Sequence, residues 1–179
     1  MDTKKFDIEK TKSIIEWVGK KVTGAHNGTI NFVDGFLTFT GGELSGGKFT
    51  IDMTSIKILD ITDAGTNAQF AGHLASEDFF ASEKYPTATL EITGVSHREN
   101  WNYHIAGNLT IRGISNPVEF DAEVLNEPAG TLRATGKLII DRTKYNMKFR
   151  SGNFFKDLGD TLIYNDFTLN VSLVAQSVS

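Results

Sequence analysis

Apolar side chains recur at every second position in several short segments of this 179-residue chain. The clearest segments are VEFDAEV (118–124), FTLNVSLVA (167–175), KFTIDMTS (48–55) and YHIAGNLTIRG (103–113). Successive side chains of a β-strand point to opposite faces of the sheet, so a period of two predicts half-buried strands. Further segments with this pattern are SIIEWVG, GTINFV, FLTF, ATLEITGV and LRATGKLIID.

Turn-forming residues separate these segments, as expected for short connections between antiparallel strands. They are Asp34-Gly35, Gly41-Gly42, Gly46-Gly47, Asn116-Pro117 and the segment 127–130. About eight strands with such connections indicate an antiparallel barrel or a sandwich. Gly94 and Gly107 fall within strands, on the apolar face, where glycine marks a bend or a close backbone approach, and this favours a barrel. We therefore predict an all-β fold, an eight-stranded antiparallel barrel, with residues 1–179 forming one domain.

The composition narrows the classes of partner and site. Hydrophobic residues make up 40% of the chain and include 13 Phe, which is enough for a packed interior. The net charge of −4 gives no basic footprint for nucleic acid. The chain has no Cys, which excludes disulfides and thiolate chemistry. No histidine pair has the spacing of a zinc motif, and we expect neither a metal site nor a cofactor.

The sequence says little about location. No segment approaches the ~18 apolar residues of a transmembrane helix. The N-terminal stretch MDTKKFDIEKTKS lacks the apolar core of a signal peptide. A periplasmic location would therefore require that a signal had been removed, and a cytoplasmic location is expected otherwise.

One segment, GHLASEDFFASEKYPTATLEITGV (72–95), departs from the strand pattern in its first half. Ser76 can cap a helical turn, and Tyr85-Pro86 would end it. We predict a short helix near residues 76–84, at one mouth of the barrel. Phe79 and Phe80 cannot both face the same way on a helix, so one would cover that mouth and keep water out, while the other would pack against the barrel wall.

The apolar face supplies candidate ligand-binding residues. An eight-stranded barrel either fills with side chains or holds one small ligand, and an apolar lining suits an apolar ligand. In an outer-membrane barrel the same face would contact lipid, but the short strands and the lack of aromatic girdles favour a water-soluble barrel. The interior candidates are Ile15, Trp17, Phe32, Phe49, Ile51, Met53, Leu90, Ile92, Leu109 and Ile111.

A second group of candidates belongs to the lid and the mouth: His73, Phe79, Phe80, Tyr85 and Arg142. His73 could bond the head group of a ligand, or it could be satisfied by the backbone. Arg142 belongs to the locally basic run DRTKYNMKFR, which could steer a phosphate or carboxylate to the mouth. The alternative is that this run is an ordinary solvated surface.

Three segments are distinctive: GHLASEDFFASEKYPTATLEIT, GNLTIRGISNPVEF and DRTKYNMKFRSGNFFKDLGD. They resemble segments of the YceI-like family of polyisoprenoid-binding proteins, and the N-terminal KSIIEWVGKKVTGAHNGTI and GGKFTIDMTSI follow the same pattern. The resemblance implies a lipocalin-like barrel of bacterial type that holds a long isoprenoid or similar lipid through apolar contacts. It also allows a homodimer and a periplasmic location.

Three classes of function compete. An enzyme would need a nucleophile with its base, a metal, or paired carboxylates, and the sequence has no GxSxG, HExxH or phosphate loop. Asp157 and Asp160 are as well explained by a turn. We therefore predict non-catalytic binding, storage or transport of a long-chain apolar ligand. A protein-interaction or stress-protective barrel without lipid is the alternative, and a hydrolase is the least favoured class.

Overall fold

Long antiparallel strands dominate the structure, a computed structural model that describes residues 2–127, 130–152, 158–159 and 162–178. The strands are β1 (Thr3–Ile8), β2 (Ile14–Lys21), β3 (Gly24–Thr40), β4 (Glu43–Ile58), β5 (Thr87–His97), β6 (Asn102–Ile111), β7 (Ile114–Glu127), β8 (Thr131–Asp141) and β9 (Ile163–Ser177). The helix α1 spans Ala64–Leu74, and single 3-10 turns span Lys10–Lys12 and Arg142–Tyr145. No helix in these described ranges is long and apolar enough to cross a membrane.

The sheet closes on itself. Its order is β2-β9-β8-β7-β6-β5-β4-β3, and β3 pairs with β2 to complete the circle. The ninth strand, β1, pairs with β3 and with β9 beyond the end of β2, so β1 and β2 occupy one position in succession. The predicted eight-stranded antiparallel barrel is therefore confirmed, with one of its eight positions divided between two strands.

The alternating apolar face points into the barrel, as β6 illustrates. Ile105 and Leu109 are 3% and 1% exposed, whereas Asn108 on the opposite face is exposed. Between them Gly107 marks a close approach of backbones, because a Cβ there would lie 2.7 Å from the carbonyl oxygen of Glu91. Burial of this continuous face is the main source of stability for the fold.

Gly94 does not lie on the apolar face that the alternation assigned to it. A register shift between Ile92 and Gly94 places one extra residue in β5. A β-bulge of this kind reverses the phase of the side chains that follow. Gly94 is consequently exposed, and Val95 takes the next inward position opposite Ile105.

The helix near the mouth is present, but its predicted bounds of 76–84 are wrong. The α-helix ends at Leu74, and residues 76–84 form turns. Ala81 adopts a left-handed conformation with φ of 46°, which a continuing helix cannot accommodate. The chain instead folds back, since the Phe80 amide donates to the Leu74 carbonyl over 3.0 Å.

Helix α1 begins with a side-chain cap and closes over the barrel. The Asp63 carboxylate accepts a hydrogen bond from the Thr66 amide over 2.8 Å and satisfies one of the free donors of the first turn. The Asn67 side chain donates to the carbonyls of Ile58 and Ile61, at 2.9 and 3.0 Å. These bonds fix α1 to the end of β4, so that its apolar residues face the mouth.

Candidate functional site

The barrel contains a cavity of about 250 Å³ at the end covered by α1, which we call the upper chamber. An apolar cavity of ~150 Å³ is large enough to bind benzene, so the upper chamber has room for a larger apolar group. Its lining includes apolar residues of the strands: Ile15, Trp17, Ile30, Ile51, Met53, Ala88, Leu109, Ile111 and Leu169.

A second, smaller cavity of about 70 Å³ continues along the barrel, and we call it the lower chamber. Its lining is also almost entirely apolar and includes Phe32, Leu37, Phe49, Leu90, Ile92, Ile105, Phe120 and Leu138. Four residues line both chambers: Ile15, Ile51, Leu109 and Leu169. These four residues therefore lie where the two chambers meet.

Trp17 forms one wall of the upper chamber. Its indole nitrogen donates to the Lys57 carbonyl over 3.2 Å, and the residue is 8% exposed. The indole lies against Gly28, where a Cβ would come within 2.7 Å of two indole atoms and would overlap the Lys57 carbonyl. The lack of a side chain at Gly28 therefore makes room for this tryptophan.

Aromatic side chains cover the upper chamber. Phe79 and Phe149 lie 5.8 Å apart, and the His73 ring packs edge-on against both, at 5.0 and 4.7 Å between centroids. Phe80 packs against Phe167 of β9 at 6.1 Å. Such edge-to-face pairs favour a defined geometry beyond their burial, and they build the cover from α1, the turn after it and the segment after β8.

Two histidines line the upper chamber, and each bonds to an aspartate. The His73 Nε2 lies 3.0 Å from Asp78, and the His26 Nδ1 lies 2.8 Å from Asp60. Desolvation raises the pKa of Asp60, but hydrogen bonds from the Asn27 amide and from His26 together outweigh it, so the pKa is lowered and the charged form is favoured. His26 and His73 reach the same chamber but are not bonded to each other.

Arg142 lies under the cover and is 3% exposed. Its guanidinium donates to three backbone carbonyls, those of Met147, Ile163 and Tyr164, over 2.7 to 3.0 Å. Three of its five N–H groups thus bind the chain itself, and a ligand head group would have to use the remaining ones. Contact between Arg142 and a head group stays a prediction.

Other cations stand at the open part of the mouth. Lys20 and Lys21 line the chamber from the end of β2, and both are exposed. Arg150 lies over the Phe149 ring at 4.9 Å, and Asp166 is an acidic residue in the same lining. The exposed charged groups of the lining therefore lie at the mouth, and Arg142 is a buried charged residue beneath the cover.

Every interior candidate from the sequence lines one of the two chambers. Trp17, Met53 and Ile111 face the upper chamber; Phe32, Phe49, Leu90 and Ile92 face the lower chamber; Ile15, Ile51 and Leu109 face both. Of the mouth candidates, His73, Phe79, Phe80 and Arg142 line the upper chamber. Tyr85 lines neither, and its ring lies against Gly113, where a Cβ would be 3.2 Å away.

Several lining residues were not predicted from the sequence, although some of them lie in segments whose alternation could have identified them. Ile30 shares the face of Phe32, and Leu169 belongs to the alternating face of FTLNVSLVA. Phe149 alternates with the cations Lys148 and Arg150 in the basic run DRTKYNMKFR, and a prediction from charge alone omits this apolar position. Phe70 and Leu74 lie on α1, outside the predicted helix bounds of 76–84, and neither belongs to an alternating segment.

Comparisons with known proteins agree with this architecture. Residues 6–175 match the YceI-like domain. A UPF0312 protein of Photorhabdus laumondii, plu2095, is 31% identical, with 83% of this chain and 73% of that protein covered. Protein YceI of Escherichia coli is 30% identical over 83% of this chain and 74% of its own length.

Solved structures share the fold. BcnA of Burkholderia cenocepacia superposes with a TM-score of 0.77 at 24% identity, covering 94% of this chain and 99% of BcnA. A polyisoprenoid binding domain from Saccharophagus degradans superposes with a TM-score of 0.68 at 14% identity, covering 96% of this chain and 97% of that domain. The domain match over nearly the full length, the identity to curated relatives and the shared barrel lead to one conclusion: the chain belongs to the YceI-like family.

Proposed function

We propose that the protein binds, stores or transports a long-chain apolar ligand, a polyisoprenoid or similar lipid, inside the barrel and does not transform it. The observation that carries the proposal is the pair of chambers placed end to end along the barrel and lined mainly by apolar side chains. The Saccharophagus degradans structure is named as a polyisoprenoid binding domain, which supports the same class of ligand here. A homodimer, which the family resemblance allows, stays a prediction.

The physical basis is the removal of hydrocarbon from water. Each buried CH₂ contributes about 0.8 kcal/mol without directional requirements, so the site selects for length and girth more than for chemistry. Ordering a flexible chain and desolvating an unpaired head group oppose this gain. A head group that remains at the mouth, near Lys20 and His73, avoids the second cost.

The first test is extraction of the purified protein with organic solvent, followed by mass spectrometry of the extract. We expect a lipid with a long apolar chain at close to one molecule per barrel. The delipidated protein should take up a prenyl alcohol again, and the alcohol should be recovered unchanged. Protein that carries no lipid and takes none up would support the interaction or stress-protective alternative, and a converted alcohol would indicate an enzyme.

The second test uses variants of the lining. Trp17→Ala and Phe49→Ala should each weaken uptake at least tenfold, because each removes a large wall of one chamber. Trp101→Ala is the matched control, since Trp101 is 50% exposed and lines neither chamber. Equal affinity in all three folded variants would show that the two lining residues serve packing alone.

A further inference from the structure

We propose that the ligand enters and leaves the upper chamber through the side wall of the barrel, at an interruption in the pairing of β2 with β9 that we call the portal. The portal is bounded by residues 19–21 of β2 and residues 163–167 of β9. The inference rests on the proposed function and adds the route by which an apolar ligand reaches the interior. The cover built from α1 and the turn after it then need not open.

The pairing of β2 with β9 is regular as far as Gly19, which lies opposite Phe167, and it resumes at Lys21, which lies opposite Ile163. Three residues of β9, 164–166, therefore face Lys20 alone. A bulge of this kind leaves backbone groups outside the ladder and bends the bulged strand. The wall is consequently held by fewer bonds between strands at the portal than along the regular part of the β2–β9 pairing.

The portal is also where the upper chamber meets solvent. Among the described residues of the lining, the exposed ones are Lys20, Lys21, Arg150, Tyr164 and Asp166. Four of these five belong to β2 and β9 at the portal. In the cover, by contrast, Leu74 and Phe79 are buried and Phe80 is half-buried. Solvent therefore reaches the lining from the side of the portal.

The β9 side of the portal is bonded to the segment after β8. Arg142 donates to the Tyr164 carbonyl over 3.0 Å, and the Ser151 hydroxyl donates to the Asn165 side chain over 2.6 Å. The Ile163 amide donates to the Arg150 carbonyl over 2.9 Å. Movement of β2 away from β9 at the portal need not break these bonds. Local opening of this kind costs less free energy than unfolding of the core strands.

The portal has apolar surface or open space on both of its sides. On the chamber side, the nearest described atom to a Cβ at Gly19, apart from its chain neighbours, would be Cζ3 of Trp17, at 4.0 Å. On the outer side, Ile139 and Tyr164 are 64% and 47% exposed and line a groove that also includes Lys20. An apolar ligand can therefore keep part of its surface out of water while it passes, which lowers the cost of entry.

The test measures the rates at which delipidated protein takes up and releases a prenyl alcohol. Trp17 fluorescence follows the upper chamber in a Trp101→Phe background, because the chain has two tryptophans. The chain has no Cys, so Lys20→Cys creates a single site for a thiol label. A bulky label attached through a disulfide should slow uptake and release at least tenfold each, and reduction of the disulfide should restore both rates.

Gly72→Cys, with the same label, is the matched control. Gly72 is an exposed position of α1, and outside the helix backbone around it no described atom lies within 4 Å of where its Cβ would be. The label on the outside of the cover should change either rate by less than twofold. If Lys20→Cys does not fold, Gly19→Val replaces it, because a side chain there narrows the portal from the chamber side. We expect Gly19→Val to slow both rates at least threefold.

The outcomes separate the two proposals. Native protein that takes up no prenyl alcohol contradicts the proposed function itself. Rates that do not respond to the label at Lys20→Cys, or that respond equally to the label at Gly72→Cys, overturn the portal and leave the proposed function in place. Slower uptake with unchanged release also overturns the portal, because the label then competes with the ligand instead of blocking its passage.

Discussion

At the scale of single residues, one buried cation organises the cover of the barrel. Arg142 joins the segment after β8 to the start of β9 through its bonds to the Met147, Ile163 and Tyr164 carbonyls. Its guanidinium also lies 5.8 Å from the Phe79 ring. Burial lowers the pKa of Arg142, and the nearby charge of Asp141 counters that effect. The planar fork of arginine is what allows one side chain to reach three carbonyls.

Arg142→Lys should therefore destabilise the protein by about 2–4 kcal/mol, because lysine cannot span the three carbonyls and buried acceptors would lose their partners. Urea unfolding of the delipidated protein measures the free energy of unfolding. Lys144→Gln, at an exposed position of the same 3-10 turn, should change it by less than ~0.5 kcal/mol. An Arg142→Lys variant of native stability that fails only in lipid binding would instead assign Arg142 to the head group.

At the scale of elements, the outer wall formed by β6 and β7 carries a cross-strand cluster of charge. His104 lies between two carboxylates of β7, with Nδ1 2.8 Å from Asp121 and Nε2 3.1 Å from Glu119. The hydrogen bond to Asp121, followed by that to Glu119, raises the pKa of His104 above its ordinary value of 6.5. The pairing therefore stabilises the folded state when the imidazole is protonated.

Because the folded-state pKa is the higher one, this contribution is complete below about pH 6.5. It is lost as the pH rises from there through the raised pKa. The unfolding midpoint should thus fall over this range, and His104→Gln should reduce the slope. The pKa of His97 is also raised, by the Asn100 carbonyl and by Glu43. His97 should therefore leave a residual dependence of the unfolding midpoint on pH in that variant. Identical pH profiles for the native chain and His104→Gln would show that the cluster contributes nothing to stability.

At the scale of the whole molecule, closure of the barrel joins distant parts of the chain. Trp17 of β2 lies opposite Leu169 of β9. The C-terminal strand β9 therefore closes the barrel by pairing with β2, near the N-terminus. Both chambers are bounded by this seam, because Ile15 and Leu169 line both of them. The barrel walls and the cavity should consequently form and unfold together.

The two tryptophans test this cooperativity, since Trp17 lies in the upper chamber and Trp101 is exposed in the β5–β6 connection at the other end. The single-tryptophan variants Trp17→Phe and Trp101→Phe each report on one end by fluorescence. Within each variant, we expect fluorescence and far-UV circular dichroism to give the same urea midpoint. Transitions that separate by more than the error would show that the ends unfold independently.

The strands and their inward faces could be predicted because burial on one face imposes a period of two. The same reasoning placed Trp17, Phe49 and Leu109 in the lining. It failed at Gly94, because a bulge adds a residue and shifts the phase without any mark in the alternation. Local patterns therefore locate strands better than they locate the interruptions within them.

Helix α1 and the role of Arg142 depend on contacts distant in sequence. The α1 sequence AGTNAQFAGHL contains two glycines and little apolar periodicity, so it is stabilised by its Asp63 cap and by packing on the mouth. In the sequence, Arg142 is one of several charges in a basic run. Its contacts with the carbonyls of Ile163 and Tyr164 form only in the folded barrel, because these residues are about twenty positions away along the chain. Neither feature could be deduced from neighbours along the chain.

The division of one barrel position between β1 and β2 has a consequence for local opening. β1 pairs with residues 36–40 of β3, beside the lower chamber, and β2 pairs with residues 24–30, beside the upper chamber. The 3-10 turn at Lys10–Lys12 separates the two ladders, so β1 can fray while β2 stays in place. Amide hydrogens of Leu37 and Phe39 should then exchange with deuterium sooner than those of Gly28 and Ile30. The barrel would open transiently beside the lower chamber, while the strands that wall the upper chamber stay paired.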